Sequence, residues 1–196
     1  MSDNKSVGGL RVISTVSNGN FAQNAANFRS AIATGKYDIE KSYLSDSGAY
    51  VLFEKGHEYH PDEIEAAKAM ADHGIIVEMG VEGDPARATA VDAKGNYKFS
   101  DGTLSIAKLS YEQSTRDSLT TTAERSVKKA LEHAKAKGAS VAVIYDRGGV
   151  FHRSDIQAGI KKYESFKGNE HRFKAILVVD KKQNVYEWSH SKKKGE

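Results

Sequence analysis

The stretch Ser100–Thr115, "SDGTLSIAKLSYEQST", decides how the second half of the chain folds. It opens on Asp-Gly, a tight-turn composition, and continues as a β-prone run. Two acids, Asp101 and Glu112, stand eleven residues apart with Lys108 between them. Side chains alternate along an extended strand, so Leu104, Lys108, Ser110 and Glu112 are expected on one face. Lys108 and Glu112 would then lie about 13 Å apart at ~3.3 Å per residue. They cannot touch one ion unless a bend brings them together. With the residues before it, the stretch predicts a three-stranded meander over 88–113, turning at Lys94-Gly95-Asn96 and at Asp101-Gly102.

Working outward, "HPDEIEAAKAMADHG" (60–74) has the signals of a helix. Pro61 suits the first helical position, Asp62, Glu63 and Glu65 answer the helix dipole, and Gly74 ends it. A strand precedes it (49–55) and another follows (75–80). Beyond the quoted stretch, Thr121 and Glu124 form a capping box. The helix after it carries Val127, Ala130, Leu131 and Ala134 on one stripe. "SVAVIYD" (140–146) and "FKAILVVD" (173–180) are apolar strands separated by an amphipathic helix, "DIQAGIKKYESF". A β-α-β unit with two such strands implies parallel neighbours covered by helices. "VYEWSH" closes the order, with Tyr186 and Trp188 read as sheet packing.

The predicted fold class is therefore α/β, a mixed central sheet flanked by helices. Residues 1–48, rich in Ser, Asn and Gly, read as an N-terminal accessory segment or linker, with a short strand at "LRVISTV" and a helix ending at Gly35. Residues 49–190 form the main domain and 191–196 a basic tail.

Composition narrows the function classes. The chain of 196 residues has no cysteine, which excludes a disulfide scaffold, a thiolate zinc site and a cysteine nucleophile. No run approaches the ~18 apolar residues of a membrane helix, and the start lacks the apolar core of a signal peptide. The expectation is a cytoplasmic protein, or one delivered into a target-cell cytoplasm, with no membrane partner. Net charge is +3, but residues 1–120 carry 12 Lys and Arg against 17 Asp and Glu, whereas residues 121–196 carry 17 against 9. A basic half beside an acidic cluster fits a protein that attracts a polyanion and holds a cation near it. The same asymmetry fits an ordinary solvated basic surface.

The order of elements over roughly residues 59–187 resembles the restriction-endonuclease-like PD-(D/E)xK fold. More narrowly, it is similar to the tRNase toxin domains at the C-termini of contact-dependent inhibition proteins and related phage or polymorphic toxins. The resemblance implies metal-dependent cleavage of nucleic acid, tRNA or DNA, and an immunity protein as partner. Its signature is an Asp at a bend followed by a strand bearing Asp/Glu-x-Lys. Asp101 takes the first place and Glu112 the second, while the lysine place falls on Ser114.

Several residues are candidates for this chemistry. Asp101 and Glu112 are oxygen ligands suited to Mg²⁺ on a phosphate substrate, with Glu65 or Glu63 as a further acid from the first helix. Lys108, or a helix lysine such as Lys128 or Lys129, is the cationic partner. Lys128, Lys129, Lys135, Arg153, Lys161 and Lys162 are candidate phosphate contacts. A second cluster, "DRGGVFHRSD" (146–155), offers Asp146 at a strand end, His152 as acid or base and Arg153 as a phosphate fork. With Tyr111 or Tyr145 it would suit a metal-independent RNase. Its plainer reading is a helix-entry loop capped by Ser154 or Asp155. His57 and His60 form a lone HxxH, a poor metal signature. The alternative to a nuclease is a non-catalytic nucleic-acid-binding or protein-interaction module of a phage or mobile element that retains the fold.

Overall fold

Along the chain of the computed structural model the elements run β1 (Gly9–Val12), α1 (Phe21–Ala33), β2 (Tyr43–Leu44), β3 (Tyr50–Phe53), α2 (Pro61–Asp72), β4 (Val77–Met79), a 3₁₀ turn (Pro85–Arg87), β5 (Ala90–Val91), β6 (Tyr97–Lys98), β7 (Gly102–Leu104), β8 (Leu109–Thr115), α3 (Ala123–Ala136), β9 (Val141–Tyr145), α4 (Arg153–Glu164), β10 (Ala175–Val179) and β11 (Val185–Ser189). The structure describes residues 9–13, 20–105 and 107–189; the basic tail lies outside them. Nine strands form one mixed sheet in the order β1-β11-β10-β9-β8-β7-β4-β3-β2.

The two apolar strands behave as the sequence predicts. β9 runs parallel to β10 and to β8, joined to β10 through α4, and both are buried. One face of the sheet packs on α2 through Met70, Val77, Met79, Tyr111, Val143 and Val179. The other packs on α3 and α4 through Val127, Leu131, Ile144, Ile160, Tyr163 and Val178. Burying each such side chain contributes about 1.5–3 kcal/mol. α3 and α4 approach closely because Gly159 leaves room: a Cβ there would stand 2.5 Å from the Val127 side chain. The segment before residue 49 supplies both outer strands. β1 pairs antiparallel with β11 and β2 with β3, and α1 covers β3.

The expected meander is corrected. β5 and β6 form a separate two-stranded ribbon, and the chain enters the main sheet only at β7. Nor is the run from Leu104 to Thr115 continuous. Ser105 and Lys108 take φ of 59° and 48°, and the Lys108 N–H donates to the Ser105 carbonyl at 3.1 Å. A tight turn therefore separates β7 from β8, and Lys108 sits in that turn rather than on a strand beside Glu112. The N-cap of α3 also moves by one residue: the Thr122 side chain accepts from the Arg125 N–H. No helix among the described residues is long and apolar enough to cross a membrane.

Candidate functional site

β7 is shorter than β8. It pairs with β8 only from Leu109 to Tyr111, so β8 from Glu112 onward has a free edge on that side. An unpaired backbone N–H at such an edge needs a partner. The Asp101 carboxylate supplies it, accepting from the Gln113 N–H at 2.6 Å. Asp101 is held there by its own backbone, which donates to the Tyr111 carbonyl at 3.0 Å and accepts from Gly80 at 3.3 Å. Gly80 is in turn fixed by His57, whose Nδ1 lies 2.8 Å from its carbonyl. The two acids of the quoted stretch thus stand opposite each other where the sheet forks, and the charge of Asp101 disfavours ionisation of Glu112.

Glu112 projects from β8 toward α3 and is only 3% exposed. Its Oε1 lies 2.8 Å from Nε2 of His133 on α3, while its Oε2 is buried with no hydrogen-bond partner among the described residues. Burial, then the charge of Asp101, raises the Glu112 carboxyl to about 8. Burial likewise raises Asp101 to about 7, against the Gln113 hydrogen bond, with Glu63 adding repulsion. The neighbouring cation is Lys137, just past the end of α3, whose charge favours the ionised form of both acids. Lys137 Nζ is 3.7 Å from Glu82. His133 is half-exposed, and burial with the charges of Lys137 and Arg116 lowers its pKa, so its imidazole is neutral at pH 7.

α2 contributes Glu63 rather than Glu65. Glu63 Oε2 lies 3.3 Å from His57 Nε2, and its charge acts on Asp101, Glu112 and Tyr111. Glu65 instead accepts from the Tyr145 hydroxyl at 3.1 Å. The Tyr111 hydroxyl is buried without a hydrogen-bond partner among the described residues, and burial plus the nearby acids keep it neutral.

Other predicted residues lie elsewhere. Lys108 Nζ is 3.4 Å from Glu78, not at the acid pair. Ser114 is buried and faces away from Gln113 along β8. His152 is exposed at the start of α4, where its backbone N–H donates to Asp155. That is beyond the far end of β9, whereas Glu112 pairs with Ala142 near the start of β9. Asp146 closes its own loop by accepting from the N–H groups of Val150 and Phe151 at 2.7 and 3.2 Å. Arg153 donates to the Leu10 carbonyl and lies over the Tyr186 ring, which ties β1 to the sheet. Among the helix cations, Lys162 pairs with Glu124, Lys128 with Glu132, and Lys135 donates to Asn169. Lys129 and Lys161 are exposed.

Among the described residues no group of three His, Asp or Glu side chains is arranged to hold one metal ion. Asp101 stands opposite Glu112 across the fork, bonded to Tyr111 and Gln113 on either side of it. Mg²⁺ is commonly held by one or two carboxylates, with water and substrate phosphate completing its shell. The orphaned Oε2 of Glu112 and the charge of Asp101 beside it, which disfavours its ionisation, fit such an ion.

No family model matches the chain, and no curated protein sequence matches it. Among solved structures, it is similar to a chain of the CdiA-CT/CdiI toxin and immunity complex from Burkholderia pseudomallei. The identity is 14% and the TM-score 0.46, with 68% of this chain and 94% of that chain covered. At that level the likeness bears on neither chemistry nor partner.

Proposed function

We propose that the protein is a nuclease that hydrolyses phosphodiester bonds at the sheet fork, with a divalent cation held by Asp101 and Glu112. The observation that carries this reading is Asp101 hydrogen-bonded to the residues on either side of the buried Glu112, with both carboxyls raised into the neutral range. Such a pair is disfavoured as two charges and becomes favourable when a cation joins it. The cation would supply charge stabilisation at the phosphate. Glu63 and His57 position the Asp101 segment through Gly80. His133, neutral at pH 7 and half-exposed, takes a proton from the attacking water. As water oxygen bonds to phosphorus, the bond to the leaving oxygen breaks, that oxygen takes a proton from solvent water, and His133 returns its proton to solvent. Lys137 takes the cationic place that Lys108 does not occupy. Lys129 and Lys161 contact phosphates outside the fork.

The sequence resemblance to contact-dependent inhibition tRNase domains adds tRNA as the first substrate to try, an immunity protein as partner and a target-cell cytoplasm as the place of action. The test is incubation with tRNA and with plasmid DNA, with Mg²⁺ or with EDTA. Cleavage that needs Mg²⁺ and falls to background in D101N supports the reading; cleavage unaffected by D101N overturns it.

One observation favours the second reading, a binding module without catalysis. Ser114, buried and uncharged, stands where the resembled signature has lysine. Salt-dependent nucleic-acid binding with no cleavage under any divalent ion would establish it.

A further inference from the structure

On the sheet face that carries Glu112, four side chains form one cross-strand row. Leu52 is opposite Glu78, Glu78 opposite Thr103, and Thr103 opposite Ser110. Their chain neighbours Val51, Val77, Leu104 and Tyr111 point into the α2 core, so the row faces the other way. α1 stands at one end of the row and α3 at the other. Two cavities follow it and share Thr103. One, of about 220 Å³, includes Ser110 and Arg87. The other, of about 340 Å³, is lined by Tyr50, Leu52, Glu78 and Lys108, with Ala31 from α1. The larger is within the range of small-molecule sites.

The chemistry of the larger cavity is unusual for a structural gap. Glu78 is mostly buried, yet the Tyr37 hydroxyl donates to its Oε1 at 2.6 Å and Lys108 Nζ lies 3.4 Å from its Oε2. Burial opposes ionisation there, but Tyr37, Lys108 and Lys36 outweigh it and hold Glu78 below the usual carboxylate range. An ionised carboxylate only accepts hydrogen bonds, on about four sites; Tyr37 holds one, and the exposed Lys36 and Lys108 ammonium groups, 3.5 and 3.4 Å away, swing aside for a ligand's donors. A ligand in this cavity therefore presents N–H or O–H donors. Tyr50 and Leu52 offer it an apolar wall, and Lys36 and Lys108 offer cations.

We propose that this cavity receives a guanine base flanking the scissile phosphate, with its N1–H and N2–H donors on Glu78 and its ring against Tyr50. This deepens the nuclease reading and rests on it. Guanine is singled out because it alone places two adjacent donors on one edge. Adenine and cytosine offer one amino group beside an acceptor, and uracil one N–H between two acceptors. Ser110 precedes Glu112 by two residues on the same face, about 7 Å along the strand at ~3.3 Å per residue, and Glu78 lies two strands further along the row, about 10 Å at ~4.8 Å per strand, so a base on Glu78 belongs to a strand passing the acid pair.

The experiment is calorimetric or NMR titration of the full chain, without metal, by 5′-GMP, 5′-AMP, 5′-CMP and 5′-UMP. GMP is expected to bind at least about tenfold more tightly than the others, a difference of ~1.4 kcal/mol. Glu78→Gln should abolish that preference. Ala31→Trp, which fills the cavity from the helix surface and spares the Glu78 network, should abolish binding while thermal stability is retained. Equal binding of the four nucleotides, no binding, or GMP binding indifferent to Ala31→Trp overturns the assignment. Selective GMP binding by a protein that cuts nothing would instead remove the nuclease reading and leave the pocket.

Discussion

The Asp101 carboxylate accepts the backbone N–H of Gln113 at 2.6 Å, and this bond registers the Asp-Gly bend against the strand that carries Glu112. Positions eleven apart in the chain become neighbours because β7 stops short and leaves one edge of β8 unpaired. The site is a consequence of that mismatch in strand length.

The raised acids make stability depend on pH. In the unfolded chain Asp and Glu titrate near pH 4; in the folded chain Asp101 and Glu112 titrate at about 7 and 8. Between those limits the native state binds more protons, so unfolding free energy falls as pH rises. The contribution is greatest below about pH 4 and lost by about pH 8, at ~1.4 kcal/mol for each pH unit separating the folded and unfolded pKa values. Urea unfolding at pH 5.5 and 8.5 should show the decline, and E112Q should flatten it by keeping the site neutral. A stability that rises over this interval would contradict the burial of both acids.

Lys108 and Lys137 should separate in function. Lys108 faces Glu78, whereas the charge of Lys137 acts on both acids. Replacing Lys137 with Met should raise the pKa of Glu112 further, since a favourable charge is lost. Replacing Lys108 with Met should leave it unchanged. Carboxyl ¹³C shifts followed against pH distinguish the two.

The Lys108 turn shows where the sequence was opaque. Leu104 to Leu109 contains no Gly, Pro or Asn, and its alternation reads as an unbroken strand. Yet two non-glycine residues adopt positive φ, which is uncommon. By contrast, α2 was legible from Pro61 and its acidic first turn, and β9 and β10 from length and apolarity, because those signals are local. The pairing of Leu10 with Trp188 has no local signal. Nor does the contact of Glu112 on β8 with His133 on α3. One hint was available: Lys129, His133 and Lys137 recur every four residues along α3 and its C-cap, a stripe of nitrogen-bearing side chains whose last two members act on the acids.

Arg153 and the pair Lys129 and Lys161 should also differ. Arg153 holds β1 through the Leu10 carbonyl, so R153A should cost about 1 kcal/mol or more of stability and speed amide exchange over 9–12. It should leave the salt dependence of nucleic-acid binding unchanged. K129A with K161A should lower the log–log salt slope by about 1–2 with little effect on unfolding.

Gly102 fixes the fork sterically. A Cβ there would stand 2.1 Å from the Glu78 carbonyl oxygen, so G102A must push β7 from β4. The expected cost is about 3 kcal/mol or more, in the range of severe core strain, measured by denaturant unfolding. A cost within about 0.5 kcal/mol, typical of an unconstrained surface site, would show that β7 is not clamped there.

The most direct measurement is calorimetric titration of the protein with Mg²⁺ and Mn²⁺ at pH 7.5, in buffers of different ionisation enthalpy. Two carboxylates that share a proton at this pH must release it when an ion binds. Saturable binding with close to one proton released, lost in both D101N and E112Q, is the predicted result. Absence of binding, or binding that releases no proton and survives both substitutions, would contradict a cation site at the fork.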